Sequence, residues 1–264
     1  MSLSLNKELL ETAVKAGLEA GKLLKEGIDT IYEISYKDGL NNLVTEFDKK
    51  AEEIIINIIK DKYPDHSFLA EESGDTNYIE NNIRWVIDPL DGTVNYAHKL
   101  PIFSVSIAAE LNGEILCGVV FQPILDELFT ASLGGGAYLN GKPIKVSPVS
   151  DFNKSFLVTG FPYNVNENPD NCLDDFTNVI KRGIPVRRLG SAAVDLAYVA
   201  CGRFDAFWEI SLNAWDVAAG AILVKEAGGS ITNYKNDNFL VNDSSLIASN
   251  GLIHNDIVNL LNRK

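Results

Sequence analysis

The sequence predicts two halves of different construction, an α+β half followed by an α/β half. Three observations predict it. Two stretches with helical periodicity open the chain, four strand-like runs crowd into residues 84–131, and helices and strands alternate after about residue 150. The softest boundary lies near 145–155, dividing 1–148 from 149–264, and nothing there resembles a flexible linker.

Residues 6–27 read as the first helix, with Leu10, Val14, Gly17, Gly21 and Leu24 at spacings of four and three and Ala13, Ala16 and Ala20 beside them. Small residues on that face let a neighbouring element approach closely. Residues 42–62 read as the second helix, with Phe47, Ala51, Ile54, Ile55, Ile58 and Ile59 along one side and Pro64 beyond its end. Thr45-Glu46-Phe47-Asp48 has the form of a capping box at its start. A short β-prone run and a polar loop join the two helices.

Ser67–Ala70 and Arg84–Asp88 read as strands, the second stopped by Pro89. Ile102–Leu111, Glu114–Phe121 and Asp126–Ala131 follow, separated by turn residues such as Asn112-Gly113. Gly134-Gly135-Gly136 reads as a turn, and Asn140-Gly141 as the tip of a hairpin. In the second half Phe156–Thr159 and Pro185–Leu189 are predicted strands. Asn171–Arg182, Ala192–Cys201, Ala214–Ala227 and Leu252–Leu261 are predicted helices.

Composition narrows the function. The 264 residues are 46% hydrophobic and 22% charged, ordinary globular values. A chain of this length buries roughly three quarters of its unfolded surface and needs no disulfide or metal staple. Its 23 basic and 36 acidic residues leave a net charge of −13, a field that repels nucleic acid and anionic lipid. Neither is an expected partner. Cys117, Cys172 and Cys201 are odd in number and widely spaced, which fits a reducing compartment. No apolar run reaches the ~20 residues of a membrane span, so a cytoplasmic location is expected.

The stretch Asp88-Pro89-Leu90-Asp91-Gly92-Thr93-Val94-Asn95 carries the most chemistry. Asp88 falls at the end of a strand, and Asp91 can turn back toward the same place. Gly92 and Thr93 can offer N–H groups to an anion if a helix begins there. Two carboxylates, a carbonyl and such amides suit a hard cation and a phosphate. The same residues also make an ordinary polar turn.

Two further acidic elements favour the cation. Glu71, in Ala70-Glu71-Glu72-Ser73, follows a short strand as Asp88 does. Asp216, in Asn213-Ala214-Trp215-Asp216, falls in the first turn of a helix, where an acid complements the helix dipole with or without a further role. The same holds for Asp48. His66, His98 and His254 are scattered and no cysteine joins them, which argues against zinc. No GxSxG, Walker-type GxxxxGK[ST] or GxGxxG pattern occurs.

Taken together these segments resemble the inositol monophosphatases, members of the lithium-sensitive, Mg²⁺-dependent phosphatase superfamily that includes fructose-1,6-bisphosphatase. The matching segments are residues 70–73, Trp85-Val86-Ile87-Asp88-Pro89-Leu90-Asp91-Gly92-Thr93-Val94-Asn95 and Trp215-Asp216-Val217-Ala218-Ala219-Gly220. Segments 43–48, 136–141 and 190–193 also fall in the family's order. Ala70 stands where glycine is common and Tyr96 where phenylalanine is, and neither is a proposed ligand.

The resemblance implies a layered αβαβα sandwich, a homodimer, and two or three Mg²⁺ ions with Mn²⁺ as a substitute. It implies that Glu71, Asp88 and the Leu90 carbonyl hold one ion, that Asp88, Asp91 and Asp216 hold a second, and that Glu71 reaches a third. Gly92 and Thr93 would bind phosphate. Thr93, Asp48 and Glu71 form the implied catalytic set, with Thr93 and Asp48 orienting or deprotonating the attacking water. Glu209, Ser191 and Ala192 match the pocket for inositol hydroxyls, and Lys37 matches a mobile-loop lysine. The implied reaction is Mg²⁺-dependent hydrolysis of a small phosphate monoester, first of all inositol monophosphate. NADP 2′-phosphate and fructose 1,6-bisphosphate are alternatives, as is a regulatory binding role on the same fold.

Overall fold

The computed structural model of the chain describes residues 3–30, 34–36, 43–76 and 79–262. Lys37 lies outside them. Helix α1 (Leu3–Gly27) is followed by strands β1 (Ile34–Tyr36) and β2 (Leu43–Thr45), which pair antiparallel, and by α2 (Glu46–Lys62). The predicted second helix therefore starts four residues late. Thr45 ends a strand and caps the helix, accepting a hydrogen bond from the Phe47 N–H while Asp48 closes the predicted capping box.

Eight strands build the first sheet: β3 (Ser67–Ala70), β4 (Gly74–Thr76), β5 (Arg84–Asp91), β6 (Ser104–Leu111), β7 (Glu114–Gln122), β8 (Glu127–Ser132), β9 (Gly136–Leu139) and β10 (Lys142–Pro143), with the short helix α3 (Thr93–Ala97) after β5. Their order is β10-β9-β8-β7-β6-β5-β3-β4. The Asn140-Gly141 tip between β9 and β10 has φ of 49° and 74°, as the hairpin reading requires. One prediction fails usefully here. Pro89 does not end the strand, because β5 runs on to Asp91 through a register shift between Asp88 and Asp91. Proline is tolerated at such a bulge, where no ladder donor is needed.

The second sheet has the order β12-β11-β13-β15-β14. It is built from β11 (Leu157–Thr159), β12 (Val186–Arg187), β13 (Ala206–Ile210), β14 (Ser230–Thr232) and β15 (Ser245–Ser249). Helices α4 (Cys172–Ile180), α5 (Ala192–Ala200), α6 (Ala214–Glu226) and α7 (His254–Leu261) complete the fold. The spans predicted for these four helices agree to within two residues at each end, α1 begins three residues before its predicted start, and β4, β13, β14 and β15 have no predicted counterpart. Those strands are three to five residues long, too short for an alternation to stand out.

Packing produces five layers. Helices α1 and α2 lie on one face of the first sheet, and α5 and α6 sit between the two sheets. Helices α4 and α7 pack together, and α7 lies against β15 of the second sheet. Three apolar clusters fill the gaps. Leu9, Leu24, Ile55, Trp85 and Ile107 seal α1 and α2 to the first sheet. Val120, Phe129, Leu196, Leu223, Phe207 and Leu246 form one core through both sheets and the helices between them. Leu157, Trp208, Ile247 and Ile257 close the far side. This is the αβαβα sandwich the resemblance implies.

Candidate active site

The candidate site forms where β5 bulges, and backbone register brings its carboxylates together. Strand β3 runs parallel to β5 with Ala70 level with Ile87, and the Glu71 N–H continues the ladder to the Ile87 carbonyl. Glu71 therefore emerges beside Asp88. On the other side Asp88 pairs with Ser106 of β6, whose hydroxyl donates to the Trp215 carbonyl at 3.2 Å. That contact sets the first turn of α6, and so Asp216, over Asp88. Asp216 also accepts from the Asn213 N–H at 2.6 Å, so the helix-cap role and the place in the cluster are held by one side chain.

Asp91, the last residue of β5, is anchored by the start of α5. Its Oδ2 accepts from the Ser191 hydroxyl at 2.6 Å and from the Ala193 N–H at 2.7 Å. Ser191, singled out in sequence as a pocket residue, turns its hydroxyl onto this acid, and Ala192 is buried beside it.

Gly92 follows with φ at 97°, and Ile102 O, Phe103 Cβ and Gly190 O crowd the place a side chain would take. Only glycine meets both demands. Thr93 comes next. Its single hydroxyl proton faces two acceptors at 3.0 Å, Oδ1 of Asp48 and the Leu90 carbonyl.

The electrostatics are those of crowded anions. Burial first, then the charges of Glu71, Asp91 and Asp216, hold the Asp88 carboxyl well above the usual carboxylate range. Burial pushes Asp91 up to about 6 against the hydrogen bond from Ser191. Burial and the Asp91 charge push Asp216 up to about 8. The charges acting most strongly on Asp88 are thus other carboxylates. Such a group is stable when a cation compensates it. Its donors are all oxygens, which suits Mg²⁺ or Mn²⁺ and disfavours zinc. Among the described residues no three acidic, histidine or cysteine side chains close on one point as a finished cation cage.

Glu209 is half-buried on β13 and feels the same cluster: burial, then Asp216 and Asp91, push it up to about 8, opposed by Arg188. The structure also adds residues that sequence reading passed over. Glu52 of α2 accepts from the Glu72 N–H at 2.9 Å and so fixes the loop carrying Glu71. The Asn95 amide donates to the carbonyls of Ile102 and Leu189 at 2.7 and 2.8 Å, tying the Gly92 turn to the loop before α5. The Tyr96 hydroxyl donates to the Leu24 carbonyl at 3.0 Å and pins α3 to α1. Asp195 is buried with Oδ1 lacking a partner. Tyr163, beyond β11, is largely exposed; partial desolvation and then the charges of Glu71, Asp216, Asp91 and Asp88 raise its phenol. Only Asn95 and Tyr96 had a sequence signal, through their position behind the Gly92 turn.

An αβαβα sandwich with an acidic cluster at a strand bulge defines a class, and comparison with known proteins defines the family. The Inositol monophosphatase family profile matches residues 5–264. The chain belongs to the inositol monophosphatase family, a family of phosphatases. It is 43% identical over 248 residues to a protein from Synechocystis sp. named inositol-1-monophosphatase, covering 94% of this chain and 86% of that one. It is 41% identical over 244 residues to a protein from Escherichia coli named Nus factor SuhB, covering 92% and 91%. Among solved structures, an inositol monophosphatase from Anabaena (Nostoc) sp. PCC 7120 superposes with a TM-score of 0.88 at 43% identity, over 97% of this chain and 95% of that one.

Proposed function

We propose that the protein is a Mg²⁺-dependent phosphomonoesterase whose first substrate is inositol monophosphate. The observation that carries this reading is the gathering of Glu71, Asp88, Asp91 and Asp216 around the bulge that also presents Gly92 and Thr93. Glu71, Asp88, the Leu90 carbonyl, Asp91 and Asp216 would hold two or three Mg²⁺ ions, or Mn²⁺ in their place. Bound there, the ions supply charge screening for the phosphate dianion, a more acidic water and stabilisation of the leaving alkoxide.

The chain's own residues supply position and proton handling. The Gly92 and Thr93 N–H groups face the phosphate oxygens from the turn. When the Thr93 hydroxyl donates to Asp48, its oxygen is left to accept a proton from the attacking water. Burial holds the Asp48 carboxyl up to about 6 against hydrogen bonds from Thr45, in the range where a general base works near neutrality. Glu71 completes this catalytic set. On the leaving-group side, Glu209 accepts hydrogen bonds from inositol hydroxyls, with Ser191 and Ala192 lining the wall.

Phosphate release from inositol 1-phosphate, NADP⁺ and fructose 1,6-bisphosphate, with and without Mg²⁺, tests the reading. The highest kcat/KM is expected on the inositol ester, with inhibition by millimolar Li⁺. Release from none of the three would overturn it. A higher value on either other ester would move the substrate and keep the chemistry.

The functional form on this reading is a homodimer acting on a small phosphorylated substrate. No helix of the described residues is long and apolar enough to cross a membrane. The odd number and wide spacing of Cys117, Cys172 and Cys201 favour a reducing compartment. The 41% identity to a protein named Nus factor SuhB favours a second reading, a regulatory binding role beside catalysis. Pull-down of a transcription complex by an inactive Asp88→Asn variant tests it, and absence of capture counts against it.

A further inference from the structure

Glu209 sits in the middle of the second sheet. It pairs with Leu246 of β15 on one side, and on the other β11 runs parallel with Thr159 level with Trp208. The Thr159 hydroxyl donates to the Trp208 carbonyl at 2.6 Å and locks that register. Gly160, the first residue beyond β11, therefore lies alongside Glu209.

The glutamate leans across that bare backbone. A β-carbon added to Gly160 would overlap Cδ, Oε1 and Oε2 of the Glu209 carboxylate and would meet nothing else so closely. Gly160 does not have a positive φ, so backbone conformation does not reserve the position for glycine. The missing side chain is needed by the carboxylate and not by the turn. The overlapping atoms are the end of a flexible side chain, so an added methyl would displace them and leave the strands in place. In an apolar or purely structural site such a shift would be absorbed. Here the displaced group is the acid that faces the leaving group.

We propose that Gly160 is a positioning residue for substrate choice: its bare backbone seats the Glu209 carboxylate where it accepts hydrogen bonds from the hydroxyls of a polyol phosphate. The inference rests on the polyol-binding role given to Glu209 above. It adds that the role depends on a second strand. A phosphate ester without neighbouring hydroxyls makes no use of the carboxylate and is indifferent to its position.

The test compares wild type, Gly160→Ala, Glu209→Ala and the double variant on inositol 1-phosphate and p-nitrophenyl phosphate in Mg²⁺. Gly160→Ala is expected to lower kcat/KM on the inositol ester by about 10- to 100-fold, chiefly through KM, the scale of a misplacement of about 1 Å. Turnover of the aryl ester should stay within about twofold. The double variant should be no worse than Glu209→Ala, because the two changes act through one group. Equal losses on both esters, no loss on either, or multiplied losses in the double variant would overturn the proposal. If Gly160→Ala does not fold alone, the double variant decides. With the carboxylate gone it must fold and match Glu209→Ala, and failure to do so overturns the proposal. Wild type alone tests the underlying function: without a preference for inositol 1-phosphate, that reading falls and this one with it. Unchanged inositol turnover in Glu209→Ala would overturn the polyol role and this proposal with it, while the phosphatase reading stands.

Discussion

The Ser191 hydroxyl donates to Oδ2 of Asp91 at 2.6 Å, joining the end of a strand to the first turn of a helix 100 residues away. The contact holds an acid of the cluster through Oδ2, which also accepts from the Ala193 N–H at 2.7 Å. Ser191 also accepts from the Val194 N–H as the cap of α5, at 3.4 Å. Ser191→Ala should cost about 2 kcal/mol of stability in denaturant titration, for a lost cap and a lost charge-assisted bond. It should also raise the Mg²⁺ concentration for half-maximal turnover by about 10- to 100-fold, as for partners that hold ligands in place. Ser191→Thr should recover most of both.

Asp88→Asn should remove at least about 99% of turnover while the circular dichroism spectrum stays that of wild type. In metal-free protein the same change should raise the melting temperature, because it removes a buried charge that Glu71, Asp91 and Asp216 oppose. A folded variant with wild-type turnover would exclude Asp88 from the chemistry.

Thr93→Ala and Asp48→Asn should each lower kcat by about 10²- to 10⁴-fold, the range for positioned proton transfer, with little change in KM. The double variant should be hardly worse than either, since one hydrogen bond links the pair at 3.0 Å. Initial-rate kinetics on the three variants check this.

Removing divalent cations with a chelator should abolish turnover and lower the melting temperature. Restoring Mg²⁺ to about 100 times its dissociation constant should return about 2.7 kcal/mol. Differential scanning calorimetry across a Mg²⁺ series, with Na⁺ at matched ionic strength, separates binding from screening.

Asp175, buried on α4, gives a pH prediction away from the site. Burial, aided by Asp174, raises its carboxyl from 3.8 to about 7. The folded state therefore holds a proton there that the unfolded state releases. Stability from this group is fully present below about pH 4 and is lost as pH rises toward about 7. Asp175→Asn should remove that slope and stabilise the protein at pH 8 by on the order of 1–2 kcal/mol after solvent screening. Thermal melts of both proteins from pH 4 to pH 8 measure the difference.

Much of the fold was legible because its helices are long or strongly patterned. The Thr45 capping box and the Asn140-Gly141 hairpin are local hydrogen-bonding arrangements that a few residues determine. The bulge at Asp88–Asp91 was not legible, since proline ordinarily marks a strand's end and only the pairing with β6 shows that the ladder resumes at Ser104. Glu52 was missed for a different reason. An acid on an amphipathic helix looks like solvated surface until another chain segment brings an N–H to it.

Residue type and local spacing by themselves determined the helices, the acidic turn with its glycine, and the oxygen-rich character of the site, because these depend on neighbours a few positions apart. Which carboxylates meet was decided by strand register and by the Ser106–Trp215 and Ser191–Asp91 contacts, which join segments about a hundred residues apart. The seat of Glu209 over Gly160 is of the same kind. Hydrogen-bond partners at such separations are selected by how sheets and helices stack, and no local pattern in the chain encodes them.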